Sequence, residues 1–247
     1  MRRFVILATP RSGSNLLCTL LHSHPDVLCH HELFNPAGIF TALPLRDDPQ
    51  FDLGTTEARD ADPAAFLAQV WQRSLGYQWL GFKITDPQQP TLRKQLCQDP
   101  TIHKIVLRRR SALKAYLSRL IAEHTGRWED YRNLRVATTP SKVHVDYTHL
   151  RNAIQHSHQF YQTIEAQLRG SVTYLTYEAL FKPSTQRRLL EDLNLRHQPL
   201  CAASRQQNPF PAYAMVSNLA ALVDQLKRDK DDLNLLTELT LPTIPIS

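Results

Sequence analysis

The opening stretch from Phe4 to Leu21 constrains the fold more than any other part of the chain. Phe4-Val5-Ile6-Leu7-Ala8 is an unbroken, partly β-branched apolar run that stops at a turn containing Pro10 and Gly13, the pattern of a buried strand entering a loop. Helical spacing follows at once. Leu16, Leu17, Leu20 and Leu21 form one apolar stripe suited to lie against a sheet. Strand, glycine-bearing turn and helix in that order open a βαβ unit.

The remaining pattern extends this theme. Val27–Cys29, Trp79–Ile84, Ile102–Leu107 and Val172–Tyr177 read as further strands, the third of the chain ending at Asp86-Pro87. Between them the sequence predicts a helix from about residue 63 to 75, with Asp62 at its cap and Pro63 in its first turn. A second is expected from the cap Ser111 to about Glu123, and a long one from Asp146 to Leu168, ended by Gly170. Residues 35–62, rich in Pro, Asp, Gly and Thr, read as a surface excursion, and residues 125–145 show no regular pattern. Strands alternating with helices predict an α/β fold with a doubly wound parallel sheet and right-handed crossovers.

A length of 247 residues fits one α/β domain, and 1–247 is read as a single domain, although length alone also allows two smaller ones. With 42% hydrophobic and 21% charged residues the chain can bury a core, which argues against disorder. The net charge of +6 favours an anionic partner. Cys18, Cys29, Cys97 and Cys201 are widely spaced without a C-x-x-C pair, so neither a zinc cage nor a disulfide scaffold is indicated. No apolar run reaches the ~18 residues of a membrane span, and Phe4–Ala8 is too short for a secretory core. A soluble, cytoplasmic protein is the expectation.

The loop after the first strand, Pro10-Arg11-Ser12-Gly13-Ser14-Asn15, is the leading candidate for a binding site. A turn feeding a helix leaves backbone N–H groups aimed at the helix N-terminus, where the macrodipole also favours an anion. Gly13 allows close backbone approach, Ser12 and Ser14 add hydroxyl donors, Asn15 another donor, and Arg11 a charged fork for phosphate or sulfate oxygens. The lysine of the G-x-x-x-x-G-K-[ST] loop and the three glycines of G-x-G-x-x-G are both missing. This excludes a regular ATP loop and a dinucleotide fingerprint.

Thr9 to Leu17 resembles the 5′-phosphosulfate loop of the sulfotransferase superfamily. The continuation His24-Pro25-Asp26 and His31-Glu32-Leu33-Phe34-Asn35-Pro36 is similar to the bacterial class acting on trehalose or lipopolysaccharide-type acceptors, and to protein-tyrosine sulfotransferases. The stretch Ala122 to Trp128 resembles a segment near the acceptor site of the trehalose-sulfating class. The resemblance implies a P-loop-like, three-layer fold and use of 3′-phosphoadenosine 5′-phosphosulfate as donor, leaving 3′,5′-adenosine bisphosphate, with no metal. It also implies that an arginine at a strand end and a serine eight residues later hold the donor's 3′-phosphate. Arg110 and Ser118 fit that spacing, with Arg109 as the alternative arginine. Tyr177, followed by Glu178, matches a tyrosine beside the adenine. Arg205, in Arg205-Gln206-Gln207-Asn208-Pro209, resembles part of a loop closing over the 3′-phosphate.

Sulfuryl transfer needs an in-line acceptor oxygen, a base for its proton, and positive charge at the leaving oxygen. The resemblance gives Glu32 as the preferred base, Arg11 as the group stabilising the leaving phosphate and Lys83 as a second cation. His31 and His30 compete with Glu32, because a neutral imidazole suits a base near pH 7. The acceptor is a small molecule or the hydroxyl of a glycan or lipid; no nucleic-acid partner is expected, and a homodimer is left open. Two other readings stand beside this one. A nucleotide kinase or other phosphoryl transferase would normally need a loop lysine and a Mg²⁺ ligand. A non-catalytic nucleotide- or RNA-binding module would rest on basic charge alone, without an aromatic stripe.

Overall fold

The computed structural model describes residues 1–129, 131, 139–204, 209–230 and 233–240. In chain order its elements are β1 (Arg2–Ala8), α1 (Ser14–His22), β2 (Val27–His30), α2 (Thr56–Ala61), α3 (Pro63–Gln72), β3 (Trp79–Thr85), α4 (Pro90–Gln98), β4 (Ile102–Arg108), α5 (Ala112–Thr125), α6 (Tyr147–Gln167), β5 (Val172–Thr176), α7 (Pro183–Asp192), α8 (Leu219–Arg228) and α9 (Leu235–Thr240). They fall into two compact units, one of Met1–Arg108 with Phe160–Ala203, the other of Arg109–Gln159 with Ser204–Ser247.

The first unit is a parallel five-stranded sheet in the order β2-β3-β1-β4-β5, flanked by helices. The expected α/β architecture is therefore present. β1 is buried from Phe4 to Ala8 without alternation, because both of its faces are covered. Phe4, Ile6 and Ala8 pack with Leu17 and Leu21 of α1 and with Leu189 and Leu190 of α7. Val5 and Leu7 belong to the opposite layer, with Val70 and Trp71 of α3, Leu96 of α4 and Ile164 of α6. Burial of each such side chain contributes about 1.5–3 kcal/mol, so the apolar run read from the sequence anchors both layers.

The strand order also fixes where a ligand can bind. From β1 the chain moves to one side, to β2 and β3, then crosses to β4 and β5 on the other. Loops at the carboxyl ends of strands beside such a reversal form the crevice where ligands sit in open α/β sheets. The loop 9–13 after β1, the segment after β2, the end of β3 and the turn after β5 all lie on that edge.

Two expectations need correction. Residues 35–62 are not only surface: Ala42 and Leu53 enter the core, Arg59 is 1% exposed, and α2 forms there. The Thr55 hydroxyl accepts from Ala58 N–H at 3.3 Å and caps α2; the apolar residues are too scattered to show a period. The next helix stops at Gln72 rather than near 75, because Leu75 and Gly76 take positive φ values of 51° and 84° and reverse the chain. α4, α7, α8 and α9 were not anticipated.

The second unit is helical in its regular elements. Ser111 caps α5 by accepting from Lys114 N–H at 3.0 Å, as expected. Leu113, Leu117 and Ile121 of α5 pack with Leu150 and Ile154 of α6 and with Leu222 and Leu226 of α8. Val143 bridges Val216, and the Asn218 side chain both accepts from Val145 N–H (2.9 Å) and donates to its carbonyl (3.0 Å). No helix among the described residues is long and apolar enough to cross a membrane. Cys18, Cys29 and Cys97 are buried free thiols and Cys201 an exposed one.

Candidate functional site

The loop between β1 and α1 is held open by two left-handed residues, Arg11 at φ 63° and Gly13 at φ 91°. Gly13 is the N-cap of α1, no side chain caps the helix, and its first turn carries no acidic residue. The first N–H groups of α1 therefore keep their affinity for an anion. The Ser12 hydroxyl is fully buried and has no hydrogen-bond partner among the described residues, an arrangement that is costly unless something is bound there. Ser14 is buried, while Arg11 and Asn15 are half-buried.

Gly13 is demanded by more than its backbone angle. A Cβ added there would lie 2.2 Å from Cδ2 of Tyr177. The Tyr177 ring thus packs directly on the loop, and it meets Phe181 edge-on at 5.3 Å. Tyr161 of α6 supports the other end. Its hydroxyl donates to the Leu107 carbonyl (2.7 Å) and accepts from Thr9 N–H (3.2 Å), tying the ends of β4 and β1 together. This tyrosine's role is not legible in the sequence, because it is one aromatic residue on a long amphipathic helix.

Glu32 and Lys83 form the centre of the site. Lys83 Nζ lies 2.8 Å from Glu32 Oε1 and also donates to the side-chain amide oxygen Oδ1 of Asn15, so it joins the loop after β2 to the start of α1. Glu32 Oε2 accepts from Asn35 Nδ2 at 2.5 Å and from Gln88 Nε2 at 2.7 Å. Burial works to raise the Glu32 pKa, but the Lys83 charge, with the hydrogen bonds from Lys83, Asn35 and Gln88, outweighs it and holds the carboxyl below its ordinary value. Lys83 is 2% exposed, whereas 20% of the Glu32 side chain reaches solvent.

The neighbouring histidines are neutral. Burial, then the charges of Lys83 and Arg46, pushes His31 down to about 2. Burial, then His22, pushes His30 down to about 3. His30 Nδ1 accepts from Ala42 N–H at 3.1 Å, and its ring stacks on Phe51 at 5.6 Å. Both rings are at most 1% exposed.

Of the basic run at the end of β4, Lys104 is consumed by the fold, donating to the carbonyls of Asp99 and Arg169. Arg108 pairs with Glu165 at 2.6 Å and covers the Tyr161 ring at 4.5 Å. Arg110 and Ser118 belong to the second unit: Arg110 is exposed just before α5, and Ser118 is buried two turns into that helix. Arg205 lies outside the described residues. Among the described residues no cluster of three or more His, Cys, Asp or Glu side chains is placed to hold a metal ion.

Comparison with known proteins gives three similarities. No protein-family model matches the chain. It is 30% identical over 140 residues to nodulation protein H of Rhizobium meliloti (strain 1021), an alignment covering 56% of this chain and 54% of that protein. The chain thus matches about half the length of this curated relative. Two solved sulfotransferase structures are also similar. The one from Alicyclobacillus acidocaldarius has a TM-score of 0.46 at 13% identity and covers 98% of both chains. The mouse sulfotransferase SULT7A1 complexed with PAP has a TM-score of 0.44 at 9% identity, covering 80% of this chain and 60% of that one.

Proposed function

We propose that the chain is a sulfotransferase that moves a sulfuryl group from 3′-phosphoadenosine 5′-phosphosulfate to a hydroxyl of a small carbohydrate, lipid or other acceptor. The observation that carries this reading is the linkage of an uncapped, serine-lined anion loop to a buried Lys–Glu pair through one residue, Asn15. The orphaned Ser12 hydroxyl and the free N-terminus of α1 suit the 5′-phosphosulfate, and Arg11 adds charge where the leaving phosphate gains it.

In the reaction, the bond between sulfur and the bridging phosphate oxygen breaks as the acceptor oxygen bonds to sulfur, and the acceptor's proton passes to Glu32. Glu32 is the preferred base because it is ionised and partly open to solvent, whereas His30 and His31 are shut inside the fold. Lys83, between Asn15 and Glu32, serves the leaving oxygen. The reading treats residues 1–247 as one cytoplasmic sulfotransferase domain, and the three buried free thiols suit a reducing compartment. It assigns the 3′-phosphate to Arg110 and Ser118, with Arg205 as a further contact, and the adenine side to Tyr177.

The test is sulfate transfer from labelled donor to pooled hydroxyl metabolites. Glu32→Gln should abolish transfer while donor binding, measured by calorimetry, stays nearly intact. Loss of donor binding would make Glu32 a donor ligand instead of the base.

A further inference from the structure

The two amides that hold Glu32 come from different loops, and both loops are fastened to α2. Arg59, 1% exposed, donates from Nη1 to the carbonyls of Leu33 (3.0 Å), Asn35 (2.8 Å) and Gly38 (3.1 Å). That one nitrogen gathers residues 33–38 into a closed loop. The loop in turn presents the Asn35 amide to Glu32, while Asn35 Oδ1 accepts from Ala37 N–H at 2.8 Å. The rest of the guanidinium clasps the next residue, with Nε and Nη2 on the two Asp60 oxygens at 2.8 and 2.9 Å. Asp60 Oδ1 then receives the Gln89 side chain at 3.4 Å, and Gln89 adjoins Gln88, the second amide on Glu32.

A buried arginine is seldom kept for stability alone, since its desolvation offsets much of what its bonds return. Its planar fork, however, is suited to fixing several acceptors in one geometry. The geometry points to Arg59, with Asp60, as a positioning residue that sets the Glu32 carboxylate through Asn35 and Gln88. The inference rests on Glu32 as the acting carboxylate, yet Arg59 itself touches no reacting atom. The charges facing this assembly are Lys83 on Glu32, the Arg59–Asp60 pair on α2, and Arg93, which pairs with Asp86 at 3.3 Å and donates to the Gln88 carbonyl at 3.0 Å.

The experiment follows the Glu32 carboxyl by ¹³C NMR in glutamate-labelled full-length protein, its signal assigned by its loss in Glu32→Gln. Arg59→Met removes the whole network and can unfold the chain, so the decisive variant is Arg59→Lys, with its thermal midpoint recorded alongside. An ammonium cannot span three carbonyls and Asp60 together. Arg59→Lys should raise the Glu32 midpoint by roughly half a pH unit, the scale of one weakened hydrogen bond. Asn35→Ala should raise it too, and Arg59→Lys should add less in that background than alone, because the two act along one path. An unchanged midpoint in a folded Arg59→Lys protein, or full additivity with Asn35→Ala, would overturn the inference. The titration needs no turnover. If Glu32 moves as expected in a chain that transfers no sulfuryl group, the clamp stands and only the enzymatic reading fails.

Discussion

Replacing Lys83 with methionine isolates the charge pair on which the site is built. The substitution keeps the length of the buried stem but removes the ammonium, leaving the Glu32 carboxylate with only the Asn35 and Gln88 amides. Breaking a buried ion pair by deleting one partner costs 3–5 kcal/mol; because 20% of the Glu32 side chain is exposed, about 3 kcal/mol is expected at pH 8. The sign of its pH dependence is fixed. In the wild type the folded Glu32 pKa is depressed, so its contribution is present at neutral pH and is lost as pH falls through the folded value. In Lys83→Met the largest influences that lower the Glu32 pKa are gone while burial, the largest single influence, still raises it, so the folded pKa should rise and the penalty should shrink on acidification as Glu32 takes up a proton. Urea denaturation at pH 8 and pH 5 reads both effects. The double variant Lys83→Met/Glu32→Gln should recover most of the loss at pH 8. A penalty that does not vary with pH, or a double variant no more stable than the single, would refute the assignment of Lys83 as the counter-charge of Glu32.

Other outcomes follow from the same geometry. His30 and His31 are held neutral, with folded pKa values of about 3 and about 2 against an unfolded value near 6.5; their contribution to stability is present above about pH 6.5 and is lost progressively below it, so chemical denaturation at pH 7 and pH 5 should differ by a few kcal/mol, on the order of 4, and equal midpoints would contradict their burial as neutral rings. Gly13→Ala meets both a positive φ and the Tyr177 ring; it should lower affinity for 3′,5′-adenosine bisphosphate at least tenfold in calorimetry, and unchanged affinity would contradict the need for glycine in this loop. Arg110→Ala should weaken 3′,5′-adenosine bisphosphate far more than adenosine 5′-phosphate, and equal losses would remove Arg110 from the 3′-phosphate.

What the sequence disclosed, and what it hid, follows from the range of the interactions. The strand–turn–helix opening and the loop from Thr9 to Asn15 were legible because their signals are local: an apolar run, a glycine where φ is positive, and a four-residue helical stripe. Glu32 and Lys83 were visible only through the family resemblance, and nothing in the chain disclosed that they pair with each other or that Asn15 joins them. Gln88, Arg59 and Tyr161 were invisible. Each is an isolated residue that joins groups distant in sequence: 56 residues for Gln88 and Glu32, 54 for Tyr161 and Leu107, and 21, 24 and 26 for Arg59 and the three carbonyls it gathers. The 35–62 segment misled for a related reason. Its polar, Pro- and Gly-bearing composition resembles surface, yet one buried arginine organises it by bonding to backbone carbonyls, which leave no trace in side-chain periodicity.

The claim that the Thr9–Asn15 loop receives the donor's 5′ end is met most directly by calorimetric titration of 3′,5′-adenosine bisphosphate and Mg²⁺-bound ATP into the wild type, Arg11→Ala and Ser12→Ala. The bisphosphate should bind the wild type more tightly than the ATP complex, and each substitution should weaken it by roughly tenfold or more, the scale of one charged or buried hydrogen bond. Preference for the ATP complex, or unchanged bisphosphate affinity in both variants, would contradict the account.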